Sequence, residues 1–479
     1  MTRTSKPNIS LISSCKLFIL ILWSILTSHP AIAQRPQYHI IANLDTASHQ
    51  VSGKMDITFT NTTSTSTDRI GIHLWPNAYS TKNSALVHQM LNLGNVELYR
   101  AKPEDMGGIS GMNFTSLDQQ VEFSADTVNV DIGWLVLSKP LEPGASLRFS
   151  SPFTVKVPGS FSRLGRTGEA YQLTQWYPHI GVFDTMGWHM MPYLDQGEFY
   201  NDFADYDVSI TTPVGYTVAA TGVLMNKVEK GSIISWKFKA ENVIDFAWFT
   251  SPFFRHEKYT VDVGGDRIVE LNLYIDSLGN EAWSRAGVYA ERALKFYSEW
   301  LGAYPYPQMS VVYCPLSAGG GMEYPMVAQI SYTADTSDLD VVIAHEIGHT
   351  WLYGILASNE RADPWMDEGL NSFLEWQYTK RYRPTYVERL LPPMFESRGT
   401  MSQYDALQHA LQFNHTLQPP ASDPQPQKGD QYLFSAYVLP AQGLEMMMSR
   451  MGKEKMKEMF RQYYSDPQFM HLSPDDLKA

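Results

Sequence analysis

The chain has 479 residues, 44% apolar and 18% charged, with 12 Trp and 27 Tyr. That length points to more than one domain, and that composition to large buried cores rather than a disordered chain; no internal repeat is visible, which argues against a solenoid. The net charge is -13, and an acidic body repels nucleic acid and anionic membranes, so neither is expected as a partner.

Residues 1–33 read as a signal peptide. Arg3, Lys6 and Lys16 make a basic start, "LFILILWSIL" a short apolar run, and "AIA" before Gln34 a small-residue cleavage site. The run is short for a bilayer span. Removal is therefore expected in preference to a retained anchor, with an exported, periplasmic or secreted product and no stable membrane insertion. Cleavage after Ala33 removes three basic and no acidic residues, taking the charge to -13 - 3 = -16. Cys15 falls in this segment and leaves Cys314 alone, so no internal disulfide is expected and Cys314 reads as a buried, inert thiol.

Residues 34–254 are strand-rich. "QVSGKMDITFT" alternates through Val51, Met55, Ile57 and Phe59, and "DYDVSITTP" through Tyr206, Val208 and Ile210; "VNVDIGWLVL" and "SIISWKFKA" are further strands, with "EPGA", "PVG" and "EKGS" as turns. A mostly antiparallel β domain is predicted. Asn61, Asn113 and Asn414 begin Asn-X-Thr sequons, of interest only in a host that glycosylates.

Residues 255–479 change character. In "NEAWSRAGVYAERALKFYSEWLG", Ala282, Ala286, Tyr289, Ala293, Phe296 and Trp300 recur at helical spacing, and Gly302 ends the helix. A strand and a glycine-rich bend, "GGGMEYP", follow. Further helices are predicted over "DLDVVIAHEIGHTWLYGIL", "PWMDEGLNSFLEWQYTKRY" and "PAQGLEMMMSRMGKEKMKEMFRQYY", the last preceded by a proline-rich loop, "TLQPPASDPQPQKGD".

"HEIGH" places His345 and His349 on one helix face, where both imidazoles reach one metal ion. Glu346 is turned about 100° away; it is placed to take a proton from a zinc-activated water rather than to ligate. A third ligand is needed. Gly and His at positions 352 and 355 would mark one class of zinc peptidase, but Leu352 and Ile355 stand there. "ADPWMDEG" instead starts a new helix, with Asp363 as N-cap and Pro364 as first helical residue. Glu368 lies one turn in, with eighteen residues between it and His349. A His2Glu site for one Zn2+ per chain is predicted, its fourth position open.

These motifs resemble the M1 aminopeptidases of the gluzincin clan, particularly bacterial branches. The resemblance rests on "HEIGH", Glu368 in "WMDEG", and "GGMEYP" upstream. It extends through "LGAYPYP", "NERADPWMDEGLNSF", "WYPHIGVFD" and "YLDQGEFYNDFADYDVSITTPVGYTVAATG" over nearly the whole chain after residue 33. It implies a saddle-like N-terminal β domain followed by a thermolysin-like, mostly helical catalytic domain, with the family's helical C-terminal domain absent or truncated. It also implies that Gly320, Gly321, Met322 and Glu323 line the substrate site. Glu323 would bind the α-ammonium of a peptide with a free N-terminus, and the glycines would let substrate backbone approach. Gln175, in "QWY", would line the first side-chain pocket; many members carry a second amine-binding glutamate at the place of Tyr177. A tyrosine of the family type, donating to the oxyanion, would be Tyr437, with Tyr432 as the alternative. The function so implied is removal of N-terminal residues from peptides. The alternatives are a less position-strict peptidase or other hydrolase on the same site, and a non-catalytic module of the same fold. The sequence carries no signal for oligomeric state.

Overall fold

The computed structural model describes residues 1, 35–276, 281–314, 320–331, 336–384 and 429–478. The signal peptide beyond Met1, the sequon at Asn414 and the proline-rich loop before Gly429 lie outside them. The chain divides into two compact units, Met1–Arg35 and Pro36–Ala479, and the second carries everything that follows.

Its first half is built on alternation. In Gln37–Asp45 the side chains of Tyr38, Ile40, Ala42 and Leu44 are buried and their neighbours exposed. Gln50–Thr60 buries Val51, Met55, Ile57 and Phe59, as its pattern predicts. The register sets Ile40 opposite Met55 on one side and Val208 on the other, so the apolar sets share a face and a one-residue slip would expose all of them. The sheet has eight strands. Its order runs Val223–Lys230, Ile233–Val243, Ala204–Pro213, Gln37–Asp45, Gln50–Thr60, Ser146–Lys156 and Gly108–Ser110, with Thr115–Ser116 also on Ser146–Lys156. Only the Gln37–Asp45 and Ala204–Pro213 pair within it is parallel. Two four-stranded sheets complete this half with a two-stranded one. "VNVDIGWLVL" starts its strand late, at Ile132: Val128 and Val130 are exposed on the loop before it. The sequon at Asn61 is closed to modification, because that side chain is buried and its amide donates to Leu141 O and Thr65 O.

A five-stranded mixed sheet begins at Phe254, in the order Phe254–Asp262, Ile268–Asp276, Gln308–Tyr313, Val327–Ile330 and Gly321–Tyr324. The "GMEY" strand is therefore an edge, antiparallel to its neighbour. Ala286–Trp300 and Thr336–Leu352 (the motif helix) pack against this sheet, and Glu368–Tyr382 (the return helix) packs against the motif helix. All six apolar residues that define the first helical pattern are buried. The last predicted helix is two, Leu439–Met451 and Lys453–Ser465, broken at Gly452, whose φ of 88° suits glycine alone. Among the described residues, no helix is long and apolar enough to cross a membrane.

Asp340 fastens the three packed helices. Fully buried on the motif helix, it accepts from Tyr378 Oη at 2.6 Å, Arg383 Nε at 2.6 Å and Arg292 Nη1 at 3.4 Å. Removing one partner of a buried charge network leaves the other charges uncompensated. Asp340→Ala is thus expected to destabilise the fold by about 3–5 kcal/mol, read by denaturant titration. Loss of the exposed Glu291–Lys295 pair should change stability by less than about 0.5 kcal/mol.

Candidate metal and substrate site

The motif helix presents His345 and His349 to the return helix one turn apart. Between the two helices, Pro364–Met366 forms a single 3-10 turn, and the α-helix starts at Glu368 itself. Asp363 is the N-cap of that 3-10 turn and Pro364 its first residue, and the α-helix itself follows from Asp367. Asp363 precedes the 3-10 turn, makes no side-chain cap, and accepts instead from Trp365 Nε1 at 3.4 Å. The return helix is tied to the motif helix by Asn371, whose Nδ2 donates to His345 O at 2.8 Å while its Oδ1 accepts from Tyr297 Oη at 2.9 Å.

Three donor atoms converge. His345 Nε2 and His349 Nε2 lie 3.0 Å apart, and Glu368 Oε2 is 3.3 Å from each. Tetrahedral zinc with ligands at 2.0–2.2 Å sets its donors roughly 3.3 Å apart, so the spacing fits. The back of each ring is taken: His345 Nδ1 meets Glu375 Oε2 at 2.9 Å, and His349 Nδ1 meets Asp367 Oδ2 at 2.6 Å. With Nδ1–H donating outward, both Nε2 lone pairs face inward, the arrangement that carboxylates behind ligating histidines produce. Glu368 Oε2, buried, has no other hydrogen-bond partner. The electrostatics ask for a cation. Burial opposes charge on His345, yet the hydrogen bonds of Glu368 and Glu375 outweigh it and carry the ring up to about 10. His349 is likewise raised, burial being overcome by Asp367 and Glu368. Glu323, His349 and Asp367 also cluster within 4.8 Å, but Asp367 is already committed to Nδ1, so the His2Glu set is the ligand set.

Glu346 leans into the cavity beside these ligands and is 6% exposed, with Oε2 unpartnered. Burial pushes its carboxyl up to about 7, and the two histidines hold it from rising further. The cavity is about 330 Å³ and is walled by Gly320 and Gly321 of the bend, Met322, Glu323, Val341, Val342, Tyr437 and the ligands. Gly321 is on this wall, and its lack of a side chain also serves Glu346. A Cβ there would lie 2.5 Å from the carboxylate of Glu346, so its missing side chain makes room for that carboxylate. Glu323 is 8% exposed and raised well above the carboxylate range by burial.

Tyr437 reaches the site: its hydroxyl donates to Glu368 Oε1, and its ring stacks on His345 at 6.2 Å. It does not stand at a helix N-terminus, as expected. It sits in a π-helical turn, Leu433–Val438, continuous with Leu439–Met451. Pro440 has no N–H to give Ala436 O, four residues back, and its ring crowds that carbonyl; a wider turn relieves both problems. Gly369 lets this turn come close, since a Cβ there would lie 2.2 Å from Pro440 Cγ and 2.9 Å from Ala436 O. Tyr432 is buried against Tyr437 at 6.1 Å and is not on the cavity wall.

Gln175 is also off the wall. With φ of 48° it turns into the interior, donating to Asp245 Oδ2 at 3.1 Å and accepting from Tyr324 Oη at 3.4 Å. The expected pocket role is corrected by this placement. Sequence reasoning missed Arg163 and Glu198, which complete the wall from the first half of the chain, and Glu375 and Asp367 behind the histidines. Asp367, adjacent to Glu368 in the motif, was the one with a readable signal.

Residues 288–479 match the model of the peptidase family M1 domain. Among curated proteins it is similar to a puromycin-sensitive aminopeptidase of Caenorhabditis elegans (26% identical over 107 residues, 20% of this chain). It is 33% identical to a leukotriene A-4 hydrolase of Xenopus laevis over 88 residues, 18% of this chain. An aminopeptidase N of Lactobacillus delbrueckii subsp. lactis is 24% identical over 204 residues, 39% of this chain. The matches span 11%, 14% and 23% of those relatives' lengths. Among solved structures, an M1 zinc metallopeptidase from Deinococcus radiodurans superposes with a TM-score of 0.65 at 16% identity, covering 93% of this chain and 88% of that one. A variant of that protein bound to a Tyr-Ser-Ala substrate gives 0.65 at 15%, covering 93% and 89%. These likenesses show the fold: a β-rich part followed by a helical catalytic domain.

Two outcomes are expected of the metal site. Glu368→Ala should abolish stoichiometric zinc, whereas Asp367→Ala should weaken zinc affinity by roughly 10–100-fold, as for loss of a group that orients a ligand, both measured by competition with a chelator. The surrounding carboxylates raise both rings in the metal-free site against their burial, and zinc must displace the protons this favours. Apparent affinity should therefore rise with pH from 6 to 9, and calorimetry in buffers of different ionisation enthalpy should show proton release.

Proposed function

We propose that this chain is a zinc aminopeptidase acting on peptides with a free N-terminus, with residues 34–254 and 255–479 as its two domains. The observation that carries this reading is Glu323, a buried carboxylate with an unpartnered oxygen on the cavity wall that also holds Glu346 and the His2Glu set. An α-ammonium has a pKa near 8, and a carboxylate within about 4–6 Å favours its charged form. A peptide therefore enters amine first. The edge strand Gly321–Tyr324 offers backbone groups along which an extended substrate runs.

His345, His349 and Glu368 would hold zinc, which when bound would supply Lewis-acid chemistry beside the first peptide carbonyl. The chain does the rest. Glu346, held near 7 by burial, takes a proton from the attacking water and returns it to the leaving amine, its pKa matched to both transfers at neutral pH. Tyr437, a phenol kept neutral by burial, exchanges its hydrogen bond to Glu368 for one to the developing oxyanion. Gly321 leaves Glu346 the space to swing between the two proton positions. The basic start, apolar run and "AIA" site of residues 1–33 support export to the periplasm or the exterior.

The test pairs aminoacyl anilides with their N-acetylated forms. Wild type should turn over the free-amine member and scarcely the acetylated one; equal turnover of both would overturn the aminopeptidase reading. Glu346→Gln should keep zinc and lose turnover. Tyr437→Phe should cut kcat by roughly 10²–10³ with KM largely kept, the cost of one oxyanion donor. If Tyr432→Phe gives that loss and Tyr437→Phe does not, the assignment of the tyrosine falls.

A further inference from the structure

A small hairpin, Val182–Asp184 with Gly187–His189, lies on one face of the sheet that pairs Thr67–His73 with Ile132–Leu141. The register sets Gly71 opposite Trp134 and Arg69 opposite Val136, on the face turned away from the buried Ile70, Ile72 and Leu135. A Cβ at Gly71 would lie 2.3 Å from Met190 Sδ and 3.2 Å from Trp188 Cε3, so the missing side chain lets the hairpin settle there. Beside it is a pocket of about 610 Å³ that shares no lining residue with the metal cavity.

The aromatic walls of this pocket are held in place. Trp188 stacks on Phe183, its partner across the hairpin, with ring centres 4.6 Å apart, and its Nε1 donates to Thr67 Oγ1 at 3.2 Å. The Arg69 guanidinium lies over the Trp134 ring, 5.6 Å from its centre. Trp75, Trp176, Trp248, Trp283, Trp300 and Trp351 are fully buried. Trp134 and Trp188 are only half-buried, and each lines the pocket.

The polar groups around the rings define what fits between them. Asp68 and Arg69 are the only charged residues on the lining, and Arg69 Nε donates to Asp68 Oδ1 at 3.0 Å. The pair is neutral overall. An anionic ligand must compete with Asp68 for Arg69, and a cationic one meets Arg69 already over the Trp134 ring. An aliphatic ligand would strip water from the ion pair and from the hydroxyls of Thr65 and Ser66 without replacing it. A neutral ring that carries several hydroxyls satisfies both kinds of wall. Its C–H face lies on the negative face of an indole, and its hydroxyls, each donor and acceptor, reach the carboxylate, the guanidinium and the threonine and serine side chains. Fixed apolar walls with a few placed polar groups are the general form of a small-molecule site.

We propose that this pocket binds saccharide, taking a neutral pyranose unit of an oligosaccharide against Trp134 and Trp188, with Asp68 and Arg69 as its polar contacts. The proposal goes beyond the peptidase reading and does not depend on it. Such a site tethers the chain to a glycan and leaves the metal cavity free.

The experiment titrates the zinc-loaded full chain with cellotriose, maltotriose and chitotriose, following tryptophan fluorescence and, independently, heat of binding, with the open-chain polyol sorbitol as control. At least one trisaccharide should bind saturably and sorbitol should not. Trp134→Ala and the double variant Asp68→Ala/Arg69→Ala should each weaken that binding by roughly 5–10-fold, the scale of one ring contact or hydrogen bond, with thermal unfolding and turnover of aminoacyl anilides unchanged. Should Trp134→Ala fail to fold, the double variant decides, because its two side chains are 66% and 51% exposed. The proposal is overturned if none of the three trisaccharides binds, if sorbitol binds as well as they do, or if the folded variants bind like wild type.

Discussion

His349 is gripped from both sides by consecutive residues. Asp367 Oδ2 meets its Nδ1 at 2.6 Å, and Glu368 Oε2 lies 3.3 Å from its Nε2. That clamp fixes the register of the return helix against the motif helix, and the rest of the site follows. Gly369, next in sequence, accepts the π-helical turn that carries Tyr437. Two residues further, Asn371 holds the carbonyl of His345, and Glu375, one turn on, backs its ring. A slip of one residue in that helix would misplace the third zinc ligand, the tyrosine and the support of His345 together.

The helical period made the histidine pair and its glutamate legible, because spacing in sequence becomes direction in space on a helix. Glu368 was legible for the same reason once a returning helix was assumed. What depends on the crossing of distant segments was not. Arg163 and Glu198 stand in loops with no periodicity, and only the folded chain brings them to the wall. The tyrosine was found, but its local geometry was misjudged: Pro440 in a first turn and Pro440 beside a π-helical turn spell the same sequence, and packing against Gly369 favours the second. Gln175 was read by the place of its motif, and a left-handed backbone at that residue turns it towards Asp245 instead. The late start at Ile132 shows a similar limit in the β half, where apolar Val128 and Val130 alternate correctly and yet find no core to face.

The glycines of the site are spatial rather than flexible features. At Gly321 the space belongs to Glu346, and at Gly369 to Pro440 and Ala436 O. Each sits beside a group whose position matters to the chemistry. Each joins two elements the sequence separates widely, which is why a reading by local motif did not find these contacts.

The concentration of buried acid explains how metal, substrate and fold are coupled. Glu198, Glu323, Glu346, Glu360, Asp367 and Glu368 are all buried, with Arg163 and Arg361 as the buried guanidinium groups near them. Glu346 is raised to about 7 by burial, and His345 to about 10 by Glu368 and Glu375 against its burial. A group raised on folding contributes stability that is complete below its unfolded pKa and is lost as pH rises through its folded one. For Glu346 that window runs from about 4.5 to 7, and for His345 from about 6.5 to 10. Glu368, lowered by the histidines despite its burial, acts in the opposite sense but only in acid. In the metal-free protein, protons therefore supply the positive charge that the carboxylates demand, and they leave as pH rises. Zinc replaces them at the His2Glu set and returns that stability where the enzyme would work, since binding to the folded state alone is itself folding free energy. Glu323, clustered with His349 and Asp367 within 4.8 Å, keeps an unpartnered oxygen on the same wall. On the proposed reading that oxygen is met by the ammonium of a substrate, so the excess of acid that favours zinc also favours an amine.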